Sequence, residues 1–412
     1  MTNARVNDKI IRNLKILAEN AFMRFKEFIM KKVISVILSL ALVAVLSAAV
    51  VGCSKEADKS STTVTGINYS LEKDAAAGEG YLGFATVKKY VLSDEQSKAV
   101  SKENYSNMID LVIPAEYETE NGKYKVNAVA DGAFANQLLL RSVTFGSNIE
   151  TIGAGCLAGC ANLSSLTIDF AGASKDAVND KKTVGYLFGT SESSGCVSAT
   201  VNYNGGDSSN SATYYIPSAL KTITLTGDVV SEYAFNGLNV SNVVLAGNVE
   251  TIPEGSFAEM GKIVSVTLPA TVKSIKKAAF KNSAALIGVN FETLTALTEI
   301  GEEAFYGCSK LGLNKTLSFA AALSVIGEKA FYNCAALKAI DLSATTVEKI
   351  SELAFYGDSA LESVKLPADT ALGKGSFKSC EKLTYDNFSV GNGKVDDKYK
   401  DAFDEDFFPV IS

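Results

Sequence analysis

Apolar and polar residues along the chain fall into a repeating frame. An aromatic landmark closes an Ala-Phe or Ser-Phe pair at Phe134, Phe235, Phe257, Phe280, Phe305, Phe331, Phe355 and Phe377, with Leu157 in the same frame. From Phe235 onward the steps are 22, 23, 25, 26, 24 and 22 residues, and the step from Phe134 to Leu157 is 23. Residues 264–286, 337–361 and 140–163 share the pattern L-x-x-V-x-L-P-x-x-V-x-x-I-x-x-x-A-F-x-x-C-x-x-L, with substitutions. Its first part, as in Val264–Leu268, alternates with period two and is rich in β-branched residues, which predicts a short strand. The part around the aromatic, as in Gly301–Tyr306, combines helix formers with an acidic first turn, which predicts one or two helical turns.

A period of this size belongs to stacked repeats. Each repeat points about five apolar side chains one way and cannot cover them alone, so neighbours must stack. The predicted fold class is an α/β repeat solenoid: a leucine-rich-repeat stack of short strands and short helices with terminal caps. The repeats run over 109–385, with an enlarged, degenerate one at 169–221. Phe305 is expected against Phe280 and Phe331 in the core. Residues 67–108 and 386–412 are the expected caps. The second is acidic at Asp396, Asp397, Asp401, Asp404, Glu405 and Asp406, and carries Phe403, Phe407 and Phe408 to pack on the last repeat.

The start of the chain breaks the frame. Residues 30–52 have Lys31 and Lys32 followed by an apolar run, the pattern of a signal peptide. The run ends in Val50-Val51-Gly52-Cys53, which resembles the bacterial lipobox and implies cleavage before Cys53 and lipid on its thiol. The alternative is a membrane-spanning helix, since the 19 apolar residues 33–51 can just cross a bilayer. The ending on Gly-Cys, not on a basic flank, argues for the lipoprotein. Residues 1–29 lack an apolar core of their own and read as an upstream mis-start, with translation beginning at Met30. Residues 53–66 read as the lipidated Cys and a flexible tether.

The repeated motifs carry a resemblance. Ala304–Cys308 (AFYGC), Ala330–Cys334 (AFYNC), Ile252–Phe257 (IPEGSF) and Leu111–Pro114 with Val126–Phe134 are similar to the core of the BspA-like, or Treponema pallidum-type, leucine-rich-repeat surface proteins. Gly185–Gly189 and Tyr215–Lys221 resemble an enlarged repeat that recurs in that family. The resemblance covers about three quarters of the chain beyond residue 52. Together with the signal-peptide pattern and the lipobox, it implies an exported protein, lipid-anchored at the bacterial cell envelope and surface-exposed. It also implies adhesion to host matrix and plasma proteins such as fibronectin and fibrinogen, or to other cells. The expected partners are an extracellular protein or glycan and, through Cys53, the membrane. The alternatives are a structural envelope protein without a specific ligand and the targeting module of an enzyme.

Composition narrows the chemistry. Hydrophobic residues make up 47% and charged residues 21%, a globular balance. There is no histidine, which removes the Ser-His-Asp triad and His-ligated zinc. The net charge is −7; without residues 1–52 it becomes −12, from 31 basic and 43 acidic residues, which argues against nucleic acid. No catalytic, cofactor or metal set emerges, and caps of 42 and 27 residues are too small to hold a catalytic domain. Glu302-Glu303 and Asp404–Asp406 are candidate carboxylate pairs by composition only, and read as solvated faces. Asn204–Asn210 lacks the acid spacing of a calcium loop and reads as a turn. Cys160, Cys308, Cys334 and Cys380 share one frame position and read as packed free thiols. A Cys308–Cys334 disulfide is the sharper alternative.

What remains is surface. Outward strand positions form a column: Thr144, Thr167, Thr224, Val244, Thr267, Asn290, Ser318, Asp341 and Lys365. A neighbouring column holds Ser142, Ser165, Thr222, Asn242, Ser265, Gly288, Thr316, Ala339 and Ser363. This predicts a long, shallow, hydroxylated face suited to a macromolecule, or a strand surface on which Ser and Thr are merely tolerated. Tyr306, Tyr332 and Tyr356 each follow a landmark Phe and form a candidate aromatic contact, or pack locally.

Overall fold

The computed structural model describes residues 66–408 apart from 104, 206, 207 and 392. Residues 1–29, the expected signal peptide at 30–52, Cys53 and the expected tether up to residue 65 lie outside the described residues.

The repeats build a β-solenoid with two parallel ladders. The wider ladder begins with Ile109–Val112, Leu140–Thr144, Ser165–Ile168, Thr222–Leu225, Asn242–Leu245, Ser265–Thr267 and Gly288–Val289 in one seven-stranded sheet. Thr316–Ser318, Ala339–Asp341, Ser363–Leu366 and Phe388–Val390 carry it on in a second sheet, closed by Gly393–Lys394. The narrower ladder uses two-residue strands from Thr251–Ile252 to Ala371–Leu372, so that Ile252, Ile275, Ile300, Ile326 and Ile350 stand in register. In the wide ladder Val143, Leu166, Ile223, Val243 and Val266 pair in register and point inward. A one-residue slip would turn these side chains to solvent and bring Ser and Thr into the core, so the apolar alternation pins the register.

The third side is not helical, and the expectation of short helices in the repeats is corrected here. The one α-helix among the described residues, Asp94–Ser101, belongs to the N-terminal cap, where Ser93 and Gln96 form a capping box. In the repeats the chain is left-handed two residues before and two residues after every landmark. This holds from Gly132 and Asn136 around Phe134 to Gly375 and Ser379 around Phe377, with φ between 52° and 77°. A helix would consume each N–H within itself. The alternation instead releases every second N–H to the next repeat: Glu303 to Glu328 O at 2.9 Å, Phe305 to Ala330 O at 2.7 Å and Gly307 to Tyr332 O at 2.8 Å. The intervening N–H groups close tight turns, as Tyr306 does on Glu303 O. Buried backbone must be paired, and here the next repeat supplies the partners. At Gly237 the left-handed turn also comes so close that a Cβ would stand 2.1 Å from Thr200 O.

This polarity dictates the caps. The first repeat has unclaimed carbonyls, and Tyr90 N–H of the strand Gly83–Val91 binds Ala133 O at 2.9 Å. The last repeat has unclaimed N–H groups. Gly375 and Phe377 donate to Asp401 O and Ala402 O at 2.7 and 2.8 Å, and Ser379 donates to the Asp404 carboxylate at 2.8 Å. Phe403 lies on Phe377 at 5.7 Å and continues the landmark column.

Inside, Phe235, Phe257, Phe280, Phe305, Phe331, Phe355 and Phe377 form one file of rings 4.8–5.2 Å apart and within 11° of parallel. Phe134 and Leu157 are fully buried in the earlier repeats. The enlarged repeat loops out as a hairpin, Cys196–Asn202 with Ser211–Pro217, while Thr222–Leu225 pairs directly with Ser165–Ile168. The insertion therefore leaves the wide ladder unbroken.

All six described cysteines are free thiols, so the disulfide alternative for Cys308 and Cys334 falls. The thiols of Cys160, Cys308, Cys334 and Cys380 instead reach the landmark carbonyls of the preceding repeats, Phe134, Phe280, Phe305 and Phe355, at 3.0–3.3 Å.

Candidate ligand face

Because successive strands stay in phase, outward side chains line up across the wide ladder. Thr144 pairs with Thr167, Thr167 with Thr224, Thr224 with Val244, and Val244 with Thr267. The second column runs through Ser142, Ser165, Thr222, Asn242 and Ser265 in the same register. Ser318, Asp341 and Lys365 are likewise in register, but in the second sheet. The sheet divides where three extra residues precede Thr316 and give the step from Phe305 to Phe331 its 26 residues. The face is therefore two stretches, not one continuous column.

The internal bonding of these side chains separates them. No hydrogen bond within the described residues engages the hydroxyls of Thr144, Thr167, Thr224 or Thr267. By contrast, the Asn290 carboxamide accepts from Leu268 N at 2.8 Å and donates to Leu268 O at 2.9 Å, doing the work of a strand partner. Asp341 accepts from the Ser343 hydroxyl and N–H at 2.6 and 3.1 Å, and Lys365 lies 3.6 Å away. The Ser343 hydroxyl bond is the main cause that holds the Asp341 carboxyl below its ordinary range. At the other end Asp110 pairs with Arg141 and accepts from Ser142 at 2.6 Å, and Arg141 is the main cause of its lowered pKa. Between these ends the Thr columns are uncharged. The pairing of Val112 with Thr144 adds an exposed apolar residue to the column, 44% accessible. The sequence columns omit Val112; the signal was the preceding strand-like stretch Ile109–Val112.

The tyrosines stack. Tyr306 and Tyr332 have ring centroids 4.8 Å apart, Tyr332 and Tyr356 4.9 Å, within 12° of parallel. Lys281 Nζ lies 5.1 Å over the outer face of Tyr306 while bonding Glu303 at 2.7 Å. Both faces of Tyr306 and Tyr332 are thus covered, and one face of Tyr356. Burial raises the Tyr332 pKa first, with its two tyrosine neighbours adding to it.

Three of the carboxylate candidates are engaged, and Glu405 and Asp406 are exposed. Glu302 and Glu303 pair with Lys277 and Lys281 at 3.0 and 2.7 Å, and Asp404 caps Ser379. Among the described residues no group of three or more acids and cysteines is placed to hold a metal ion. The loop 204–210 is described only in part. Two shallow polar hollows of ≈ 260 and ≈ 420 Å³ share Lys175; one is lined by Asp169, Thr226 and Asp228, the other by Lys125, Asn148 and Glu150. Charged and polar side chains make up most of each lining, with Phe170 and Val229 in the first and Ile149 in the second, whereas small-molecule sites are mostly apolar.

A two-ladder parallel β-solenoid of 22–26-residue repeats, closed at both ends, is a repeat protein of the leucine-rich class. The profile of the BspA-type leucine-rich-repeat region matches in six copies over residues 118–175, 228–313 and 289–405, more than half of the chain. The chain belongs to this family. It is similar in structure to a leucine-rich repeat protein from Bacteroides ovatus, at 19% identity and a TM-score of 0.38, over 79% of this chain and 82% of that one. A leucine-rich cell surface protein from Faecalibacterium prausnitzii matches at 18% identity and a TM-score of 0.28, over 84% and 98%. The T. pallidum leucine-rich repeat protein matches at 14% identity and 0.23, over 78% and 89%. No curated protein matches the chain.

Proposed function

We propose that this is a non-catalytic, surface-exposed binding protein, anchored by lipid on Cys53, whose wide-ladder face takes an extended protein ligand in adhesion to host matrix or to other cells. The observation that supports it best is the column Val112, Thr144, Thr167, Thr224, Val244 and Thr267. It is in register and uncharged, and its side chains make no hydrogen bond within the described residues. Such a surface is flat and repeats at the strand spacing, about 4.8 Å, so it favours contact over many residues against capture of one small molecule. Membership of the BspA-type family points the same way. The tyrosine row, with both faces of Tyr332 covered by its neighbours, offers a protein mainly ring edges and hydroxyls.

The test is binding of the purified chain to immobilised fibronectin and fibrinogen and to bacterial cells. The triple substitution Thr144→Glu, Thr167→Glu and Thr224→Glu is expected to lower binding at least about tenfold, because it places like charges in one column. Tyr332→Ala is expected to leave it within about twofold. Undiminished binding by the triple variant overturns the assignment of the face. Metabolic lipid labelling of wild type and Cys53→Ala tests the anchor separately; label retained by the variant refutes it.

A further inference from the structure

Three residues after the landmark, five repeats place a side chain that donates to the preceding repeat. Cys160, Cys308, Cys334 and Cys380 donate there to the preceding landmark carbonyl at 3.0–3.3 Å, and the Ser283 hydroxyl donates to Phe257 O at 2.6 Å. Ser283 Oγ also accepts from Met260 N at 3.3 Å. In one repeat the position is Asp358. Its side chain is fully buried, and its Oδ1 accepts from Cys334 N at 2.7 Å, as Ser283 accepts from Met260. Its Oδ2 is buried without a partner. In the five siblings the acceptor at this place is the preceding landmark carbonyl, which for Asp358 is that of Phe331, and an ionised carboxylate cannot donate to it. Every sibling with a polar atom bonded there brings a hydrogen to this carbonyl.

We propose that Asp358 is held as the neutral carboxylic acid, its Oδ2–H donating to the carbonyl oxygen of Phe331, so that the stack carries one buried proton and its C-terminal repeats loosen as that proton is lost. The titratable groups that face Asp358 are thiols, Cys334 in the preceding repeat and Cys380 in the following one. Burial pushes both up, and Asp404 acts on Cys380 from beyond it. No cation forms an ion pair with Asp358 among the described residues. Burial likewise drives the Asp358 carboxyl well above the carboxylate range, with the Cys334 N–H as the one opposing influence. The unfolded chain holds this proton only below about pH 4. A raised folded-state pKa therefore contributes stability that is complete below that value and is lost as the pH rises toward the folded pKa.

The experiment compares the full chain with Asp358→Asn, whose amide supplies the same acceptor and the same donor without titrating. Urea unfolding is followed from about pH 4 to about pH 9, where the difference between the two proteins cancels every other titrating group. The two are expected to be equally stable at the acid end. Wild type is then expected to lose ground about tenfold in its unfolding equilibrium constant per pH unit, up to the pKa of the folded carboxyl. An infrared band of a protonated carboxyl at neutral pH, missing from the variant, is the direct signature. Parallel pH profiles, or a wild type without that band, overturn the proposal. Should Asp358→Asn fold poorly, Asp358→Ser repeats the arrangement already present at Ser283 and is read by the same two outcomes.

Discussion

Phe305→Ala is the substitution that most directly probes what holds the repeats together. Phe305 is fully buried, with Phe280 4.8 Å away on one face, Phe331 5.2 Å away on the other, and Phe291 meeting it edge-on at 5.3 Å. Truncating a buried Phe costs about 3–5 kcal/mol. The upper end applies here for two reasons. Two parallel ring contacts vanish, each worth about 0.5–1.5 kcal/mol beyond burial. The site is also poorly able to collapse, because Phe305 N is tied to Ala330 O while Phe305 O accepts from both Cys308 N and the Cys334 thiol. In a one-dimensional stack the lost contact is an interface term between neighbours, so the damage should also divide the unfolding transition at this repeat. Urea denaturation followed by far-ultraviolet circular dichroism, with amide exchange to locate the break, measures both effects. Phe305→Leu is the control: Leu157 occupies the same frame position fully buried, so Leu keeps most of the apolar volume, loses the two ring contacts and should cost about 1–3 kcal/mol, less than Ala. An Ala variant with the wild-type midpoint, or a Leu variant as damaged as the Ala variant, refutes this account of the core.

Two further outcomes follow from local geometry. Asn290→Ala should destabilise by about 1–3 kcal/mol, because it leaves Leu268 N and O without the carboxamide that pairs both; a neutral effect in denaturation would show that water replaces it. Thiol labelling of the native protein at mildly alkaline pH should find Cys196 alone reacting quickly among the six described cysteines, since the other five are buried; labelling of Cys308 or Cys334 at the same rate in folded protein would contradict their placement.

The regular spacing from Phe235 to Phe377 made the stack, the inward file of rings and the outward columns legible, because each repeat can bury its apolar side only against copies of itself. The turns around the landmark are not helical, although their residues favour a helix. Gly-Glu-Glu-Ala-Phe-Tyr has helix-forming residues, yet Glu303 takes a left-handed φ of 53°. Local propensity is worth tenths of a kilocalorie per residue, and the backbone bonds to the next repeat outweigh it. Asn290 and Asp341 sat among the outward positions, but their side chains bond the neighbouring backbone and Ser343. Asp358 carried no sequence signal beyond its departure from Cys at a repeated position.

The amino-acid sequence by itself determined that this chain is a stacked repeat of the BspA-type family, because the period, the apolar alternation and the recurring Phe are properties of one dimension. Only the tertiary structure decided three things. Every second N–H around the landmark goes to the next repeat; the face divides after Gly288–Val289; and a carboxyl group is buried between two thiols. Each depends on what the adjacent repeat places within hydrogen-bond reach, and a linear pattern does not contain that distance.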